Sequence, residues 1–183
     1  MNLPNILTVS RIILIPVFVV SYYLPFDWNY LLCGLVFTIA GATDMLDGYL
    51  ARKLNQATPF GAFLDPVADK LMVAIALTVV IEHYQNVWIT VPSMIIIGRE
   101  IVVSALREWM AERSKRDNVA VGNMGKIKTA CQMWAILFLL IGVHGGFYLN
   151  AGVILIYVAA LLTIWSMYLY LTASWEHLFV EES

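Results

Sequence analysis

The chain has 183 residues, of which 61% are hydrophobic and 13% are charged, and its formal net charge at pH 7 is −2. A soluble domain is about 45–50% apolar and about 25% charged, so the composition indicates a membrane protein and excludes a large soluble domain. Two cysteines, Cys33 and Cys131, lie in apolar runs and predict neither a disulfide nor a zinc site.

Six segments are long and apolar enough to be membrane-spanning helices, each of which needs about 20 mostly apolar residues. Arg11 is the only cation before the first apolar run, and no small-residue cleavage site follows, so we predict a retained helix rather than a signal peptide. The second, third and fourth segments carry charges at one end. In chain order, the predicted spans are 6–24, 30–50, 62–83, 88–108, 126–145 and 149–173.

The distribution of basic residues supports an even number of spans. With six spans and a cytoplasmic N-terminus, all 11 Lys and Arg residues lie on or toward the cytoplasmic side. The opposite connections, YYLPFDWNY, EHYQN and HGGFYLN, contain neither residue type. Because cytoplasmic loops carry the excess of Lys and Arg, we predict a single all-α membrane domain over residues 1–183 with both termini cytoplasmic.

Four aspartates lie where the second span ends and the third begins. Asp44 and Asp47 are three residues apart, and Asp65 and Asp69 are four apart, so each pair shares one face of its helix. The intervening segment turns the chain back, which allows the two pairs to face each other near the cytoplasmic surface. One ionised Asp near the bilayer centre costs about 2.5–3.5 kcal/mol, so this cluster requires compensation.

Divalent ions are the expected compensation for these carboxylates. Three cations are close in sequence, which is too few for four carboxylates: Arg52, Lys53 and Lys70. Carboxylate oxygens suit Mg²⁺ or Mn²⁺, and carboxylates around two metal ions recur in phosphoryl transfer. The sequence therefore predicts two divalent cations at the cytoplasmic ends of the second and third spans.

The aspartates belong to the longer pattern D-x-x-D-G-x-x-A-R-x8-G-x-x-x-D-x-x-x-D, which resembles the signature of the CDP-alcohol phosphatidyltransferases. NILTVSRIILIPVF, FGAFLDPVADKLMVAIAL and GREIVVSALREWMAERSKRDNVAVGNMGKIKTACQM extend the resemblance over nearly the whole chain, to members that use sn-glycerol 3-phosphate. It implies a six-helix bundle of the bacterial inner membrane, usually a homodimer. The implied reaction transfers a phosphatidyl group from CDP-diacylglycerol to sn-glycerol 3-phosphate and releases CMP.

The resemblance also implies roles for individual residues. Asp69 is expected to be the general base that takes the proton of the attacking hydroxyl, and also to contact a metal ion. The other implied metal ligands are Asp44, Asp47 and Asp65. The implied CDP-binding residues are Gly48, Arg52 and Gly61, with Asn5 and Thr8 of the first span nearby. From the residues alone, Thr8 is expected to cap the first helix and Arg11 to anchor it.

The acceptor carries a phosphate, which requires cations. Arg99 and Arg107 are eight residues apart, close to two helical turns, and Lys126 begins the fifth span. Because Arg matches phosphate oxygens, we expect these three to bind the phosphate, with an ion pair from Arg99 to Glu100 or to a site aspartate as the alternative. Three loop cations are expected only to attract anionic headgroups: Arg113, Lys115 and Arg116.

Two other functions stay open at this point. Serine, inositol phosphate or a second phosphatidylglycerol could be the acceptor, although the basic trio favours a phosphorylated one. The other class is a divalent-cation transporter. An ion path places polar groups through the membrane, whereas here the acidic groups lie at one depth and the last two spans are nearly free of charge. No nucleic acid partner is expected.

Overall fold

The computed structural model describes residues 3–54, 59–112 and 123–179, and within these ranges the chain forms six α-helices and no strand. All six predicted helices are present, in the predicted order. Their bounds are α1 Leu3–Tyr23, α2 Asn29–Leu54, α3 Pro59–Tyr84, α4 Val87–Glu112, α5 Asn123–Ile141 and α6 Phe147–Phe179.

Asparagine side chains satisfy backbone groups at two helix ends. The buried Asn29 donates from Nδ2 to the carbonyl oxygens of Tyr22 at 2.8 Å and Leu24 at 3.2 Å, which are groups that lack partners within α1. Asn86 accepts from the backbone N–H of Trp88 at 2.9 Å, the usual N-cap arrangement at the start of a helix. These contacts fix the short connections that follow α1 and precede α4.

The turn between α5 and α6 is built from glycines. Gly145 and Gly146 have φ values of 85° and 80°, which are strained for residues with a side chain. α5 therefore ends at Ile141, before the predicted end at residue 145. The predicted end lies later in the chain because hydropathy does not register the change in backbone direction.

The helices pack into one connected bundle. α3 contacts α1, α2, α4 and α5, while α6 packs against α4 and α5. The most extensive contacts join α1 to α2 and α5 to α6. The centre is filled by large apolar side chains that are fully buried: Phe18, Phe37, Leu77, Ile96, Ile136, Leu139 and Ile156.

Large apolar side chains also cover the outside of the bundle. Examples from four different helices are Ile13, Leu35, Ile101 and Leu161, all of which are exposed. A soluble monomer rarely exposes extended apolar surface, whereas lipid is an apolar solvent for it, and helices satisfy their own backbone groups there. The surface thus supports a helical membrane protein.

Hydropathy and length alone identify two helices within the described residues that can cross a membrane, Val87–Leu106 and Phe147–Leu169. Leu7–Tyr23 and Ile127–Ile141 are shorter apolar stretches. The presence of six helices is confirmed, and their crossing of a membrane as six spans stays a prediction.

Candidate functional site

Polar side chains from several helices meet at one end of the bundle. This is the end where α1 begins, α2 ends and α3 begins, and it contains Thr8, Arg11, Asp44 and Asp65. Consecutive helices run in opposite directions here, so segments far apart in sequence come together. The opposite end has aromatic contacts instead, such as the ring of Tyr30 against that of His83.

Arg11 connects two of the four aspartates. Its side chain is 3% exposed; Nη1 donates to Asp44 Oδ1, and Nη2 donates to Asp65 Oδ1 at 3.2 Å. The side chains of Asp44 and Asp65 are 43% and 41% exposed. The carboxylates of α2 and α3 therefore lie on one guanidinium group, at the same depth.

Thr8 adds a third element to this cluster. Its Oγ1 donates to Asp65 Oδ1 at 2.5 Å. Since α1 begins at Leu3, Thr8 lies within the helix, and its predicted role as a cap is wrong. The interpretation of Arg11 as a surface anchor is also wrong, because the side chain is buried and its charge is shared by carboxylates of two other helices.

Asp69 lies one helical turn after Asp65 on α3, and its side chain is exposed. It interacts electrostatically with Asp44, Arg11 and Glu100. Three of the four aspartates are thus brought together around Arg11. Asp47 lies one turn beyond Asp44 on α2, but its side chain is outside the described residues.

The predicted CDP-binding residues lie on the same three helices. Gly61 is buried in the first turns of α3, and Thr8 contacts Asp65 as described above. For Asn5, Gly48 and Arg52 the structure describes the helix only. Their assignment to the nucleotide stays a prediction.

The chemistry of these side chains fits a divalent cation. Carboxylate oxygens are the ligands that Mg²⁺ and Mn²⁺ prefer. A carboxylate has two acceptor oxygens, and the contacts of Asp44 and Asp65 with Arg11 use the Oδ1 atom of each. Among the described side chains, no three Asp, Glu, His or Cys residues form an ion site by themselves. The described side chains do not include that of Asp47.

A second charged cluster joins α4, α5 and α6. Arg99 is 8% exposed; its Nη1 donates to Glu100 Oε1 at 3.1 Å and its Nη2 to Ser166 Oγ at 2.5 Å. Lys128 of α5 donates from Nζ to the same Glu100 oxygen at 2.5 Å. The ion pair between Arg99 and Glu100, which the sequence left as an alternative, is therefore present.

Lys70 joins α3 to α4 in the region between the two clusters. It follows Asp69 on α3 and hydrogen-bonds through Nζ to Ser104 Oγ of α4, one turn beyond Glu100. Arg107 lies further along α4, and Lys126 lies in the first turns of α5, although the side chains of both are outside the described residues. The aspartates and the buried cations are thus neighbours at one end of the bundle.

The fold reveals polar residues that sequence reasoning did not place. A charge inside a membrane helix usually has a partner, and this rule applied to Arg11 would have indicated one. Its partners are 33 and 54 residues away, so only the packing identifies them. Nothing in the sequence indicated that Ser166 contacts Arg99, because a hydroxyl in an apolar helix commonly hydrogen-bonds to the preceding turn of the same helix.

Comparison with known proteins gives one consistent result. The chain matches the family model described as CDP-alcohol phosphatidyltransferase over residues 1–165. It resembles three curated relatives that share the name CDP-diacylglycerol–glycerol-3-phosphate 3-phosphatidyltransferase. The Yersinia enterocolitica protein is 53% identical over 178 residues, 97% of each chain. The Pseudomonas fluorescens protein is 52% identical over 97% of this chain and 92% of its own, and the Salmonella paratyphi A protein is 54% identical over 94% of each.

Proposed function

The chain belongs to the CDP-alcohol phosphatidyltransferase family, and on that premise we propose that it transfers the phosphatidyl group of CDP-diacylglycerol to sn-glycerol 3-phosphate. The products are phosphatidylglycerophosphate and CMP. Relatives named for this reaction match nearly the full length of the chain. The structural observation that supports it best is the convergence of Asp44 and Asp65 on Arg11, close to Asp69 and beside a cluster of buried cations.

The proposed setting is a bacterial inner membrane. The chain forms one domain over residues 1–183, crosses the membrane six times with both termini in the cytoplasm, and assembles as a homodimer. The positions of the Lys and Arg residues support this orientation. With it, both charged clusters face the cytoplasm, where the soluble acceptor is found.

Asp69 acts as the general base. It takes the proton of the acceptor hydroxyl while the hydroxyl oxygen attacks the β-phosphorus of CDP-diacylglycerol. A new P–O bond forms to the glycerol oxygen, and the P–O bond to the CMP group breaks. Asp69 is exposed, which is consistent with contact to a soluble substrate.

Asp44, Asp47 and Asp65 would hold two divalent cations, Mg²⁺ or Mn²⁺, with Asp69 also contacting one of them. When bound, such ions supply positive charge that stabilises the diphosphate and the departing CMP. Arg11 and Thr8 keep the carboxylates of α2 and α3 turned toward each other.

The two substrates bind to separate sets of residues. Gly48 and Gly61 allow the nucleotide to approach the helices closely because they lack side chains, and Arg52, Asn5 and Thr8 complete the CDP site. Arg99, Arg107 and Lys126 bind the acceptor phosphate. The buried Nε of Arg99 has no hydrogen-bond partner among the described residues, which leaves one donor for a phosphate oxygen.

The test is CMP release by purified protein supplied with CDP-diacylglycerol, Mg²⁺ and a panel of acceptors. We expect release with sn-glycerol 3-phosphate but not with serine, inositol phosphate or phosphatidylglycerol, and loss of release with EDTA. Asp69→Asn should lower the rate by about 10²–10⁴-fold, the usual contribution of a general base. Asp27→Asn is the matched control, because Asp27 is exposed in the turn at the other end of the bundle.

Other results would contradict the proposal in distinct ways. Release with a different acceptor would keep the aspartate chemistry and overturn the phosphate site. No release with any acceptor, together with divalent-cation flux into liposomes, would replace the transferase with a transporter. Full activity in Asp69→Asn would remove Asp69 from the reaction.

A further inference from the structure

Glu100 accepts hydrogen bonds from two cations through a single oxygen atom. Arg99 Nη1 lies 3.1 Å from Oε1, and Lys128 Nζ lies 2.5 Å from the same atom. The separation of the two nitrogens cannot exceed the sum of these distances. Arg99 and Lys128 come from different helices, so Glu100 is the group that holds their charges side by side.

Two positive charges meet at one carboxylate in this cluster. Both cations are buried and Glu100 is only partly so, and each of them contacts the same Glu100 oxygen. Without the carboxylate, two buried cations at this separation would repel each other. With it, the two cations remain side by side.

Ser166 binds the second terminal nitrogen of Arg99, Nη2. Its Oγ accepts from Nη2 at 2.5 Å and in turn donates to the carbonyl oxygen of Thr163 at 3.3 Å. Both Nη atoms of Arg99 are thus engaged, while the buried Nε has no partner among the residues that the structure describes. The guanidinium is held in one orientation with a donor still to be satisfied.

The cluster is also close to the reacting end of the molecule. Ser104, one turn beyond Glu100 on α4, contacts Lys70, the residue that follows Asp69. Asp69 itself interacts electrostatically with Glu100. An acceptor with its hydroxyl at Asp69 therefore has this cation pair as its neighbour.

We propose that Glu100 is a positioning residue for the acceptor phosphate, which sets Arg99 and Lys128 side by side as one preformed anion-binding unit, with Ser166 fixing the orientation of Arg99. This inference rests on the proposed function, because it requires an acceptor that carries a phosphate. It adds Lys128 to the phosphate site, and it gives a carboxylate a supporting role in binding an anion.

The test compares Glu100→Gln with wild type in steady-state kinetics. We expect the KM for sn-glycerol 3-phosphate to rise about tenfold, while the KM for CDP-diacylglycerol stays unchanged. Inorganic phosphate should inhibit by competing with sn-glycerol 3-phosphate, and its inhibition constant should rise by a similar factor. Glu82→Gln is the matched control, since Glu82 accepts hydrogen bonds from Tyr23 and lies at the other end of α3.

Ser166→Ala provides a second variant that leaves every charge in place. We expect a rise of about fivefold in the same KM, and Ser166→Thr, which retains a hydroxyl, should restore most of the affinity. If Glu100→Gln does not fold, this pair tests the fixed orientation of Arg99, and an unchanged KM in Ser166→Ala overturns the preformed unit.

The outcomes separate this inference from the proposed function. If wild type releases no CMP with sn-glycerol 3-phosphate, the proposed function fails. If wild type is active but the variants leave the KM for the acceptor unchanged, the positioning role is overturned. A lower KM in Glu100→Gln would show that the carboxylate only repels phosphate, and equal rises for both substrates would indicate a general structural role; each of these also overturns it.

Discussion

At the scale of single residues, Arg11 changes the charge balance of the aspartate cluster. The cations near the aspartates in sequence are too few to compensate them, but Arg11 arrives from another helix and contacts Asp44 and Asp65 directly. Opposite unit charges about 4 Å apart attract by about 4 kcal/mol at an effective dielectric constant of about 20. This is comparable with the insertion cost of about 2.5–3.5 kcal/mol for one Asp, so part of the compensation is built into the chain.

Arg11→Gln should therefore destabilise the protein most when divalent ions are removed. We expect a loss of about 1–2 kcal/mol, at the low end for a broken buried ion pair because both carboxylates are partly exposed. In EDTA the melting temperature should fall by roughly 5 °C, and added Mg²⁺ should raise it more in the variant than in wild type. The measurement is a thermal melt of the purified protein in detergent, with and without Mg²⁺.

Arg113→Gln serves as the charge-matched control for this experiment, since Arg113 belongs to a polar stretch of the sequence and is expected only to attract headgroups. Equal Mg²⁺ shifts in all three proteins would show that Arg11 and the ions do not act on the same carboxylates.

The site could be predicted from the sequence only where spacing along one helix decides the geometry. The pairs Asp44 with Asp47 and Asp65 with Asp69 follow from helical periodicity. The contacts of Arg11 and Ser166 depend on which helices pack against each other. The residues next to Arg11 and Ser166 in the sequence do not indicate this packing. Thr8 was assigned to a helix end because Ser and Thr favour caps, although here the packing of α1 against α3 gives its hydroxyl a different partner.

At the scale of elements, the sequence predicted the existence of each helix better than its ends. Hydropathy marks the part of a helix that lies in lipid, so α2 and α3 extend beyond the predicted spans at the polar ends, to Leu54 and from Pro59. A polar turn remains helical because its backbone bonds continue from i to i−4. α6 likewise continues to Phe179, past its predicted end at residue 173.

A substitution at Gly152 tests how closely α5 and α6 approach each other. A Cβ atom at this position would lie 2.9 Å from Leu139 Cγ and 3.0 Å from the backbone nitrogen of Leu139, and small residues at helix contacts in membranes allow such approach. Gly152→Ala should therefore lower stability by about 1–3 kcal/mol through overpacking. The measurement is the free energy of unfolding in a mixed-micelle denaturation series.

Gly98→Ala is the matched control because Gly98 is also inside a helix but has nothing within 4 Å of an added Cβ. Both substitutions stabilise the helix by about 1 kcal/mol through helix propensity. The two variants therefore differ only in the contact with Leu139. A similar gain in stability for both variants would contradict the close approach.

At the scale of the whole molecule, the orientation in the membrane is the property that the sequence predicts most directly. It depends on the positions of Lys and Arg rather than on packing. The structure supports a common end for both charged clusters, while the side of the membrane on which that end lies requires a separate experiment.

Cysteine labelling in cells provides that experiment. In a background with Cys33→Ala and Cys131→Ala, Asp27→Cys and His144→Cys should react with a membrane-impermeant maleimide in cells whose inner membrane is intact. Lys115→Cys and Ser183→Cys should react only after that membrane is opened. The mass shift of the protein reports each reaction, and the reverse pattern would place the site on the opposite side.

The pairing of α5 with α6 has a consequence for how the protein is synthesised. The apolar stretch of α5, Ile127–Ile141, is shorter than 18 residues, and about 20 are needed to span a bilayer. Its strongest packing is with α6, which the ribosome makes later. A nascent chain that ends within the glycine turn should therefore leave α5 at the membrane–water interface, and the last two helices should enter the lipid together as a hairpin.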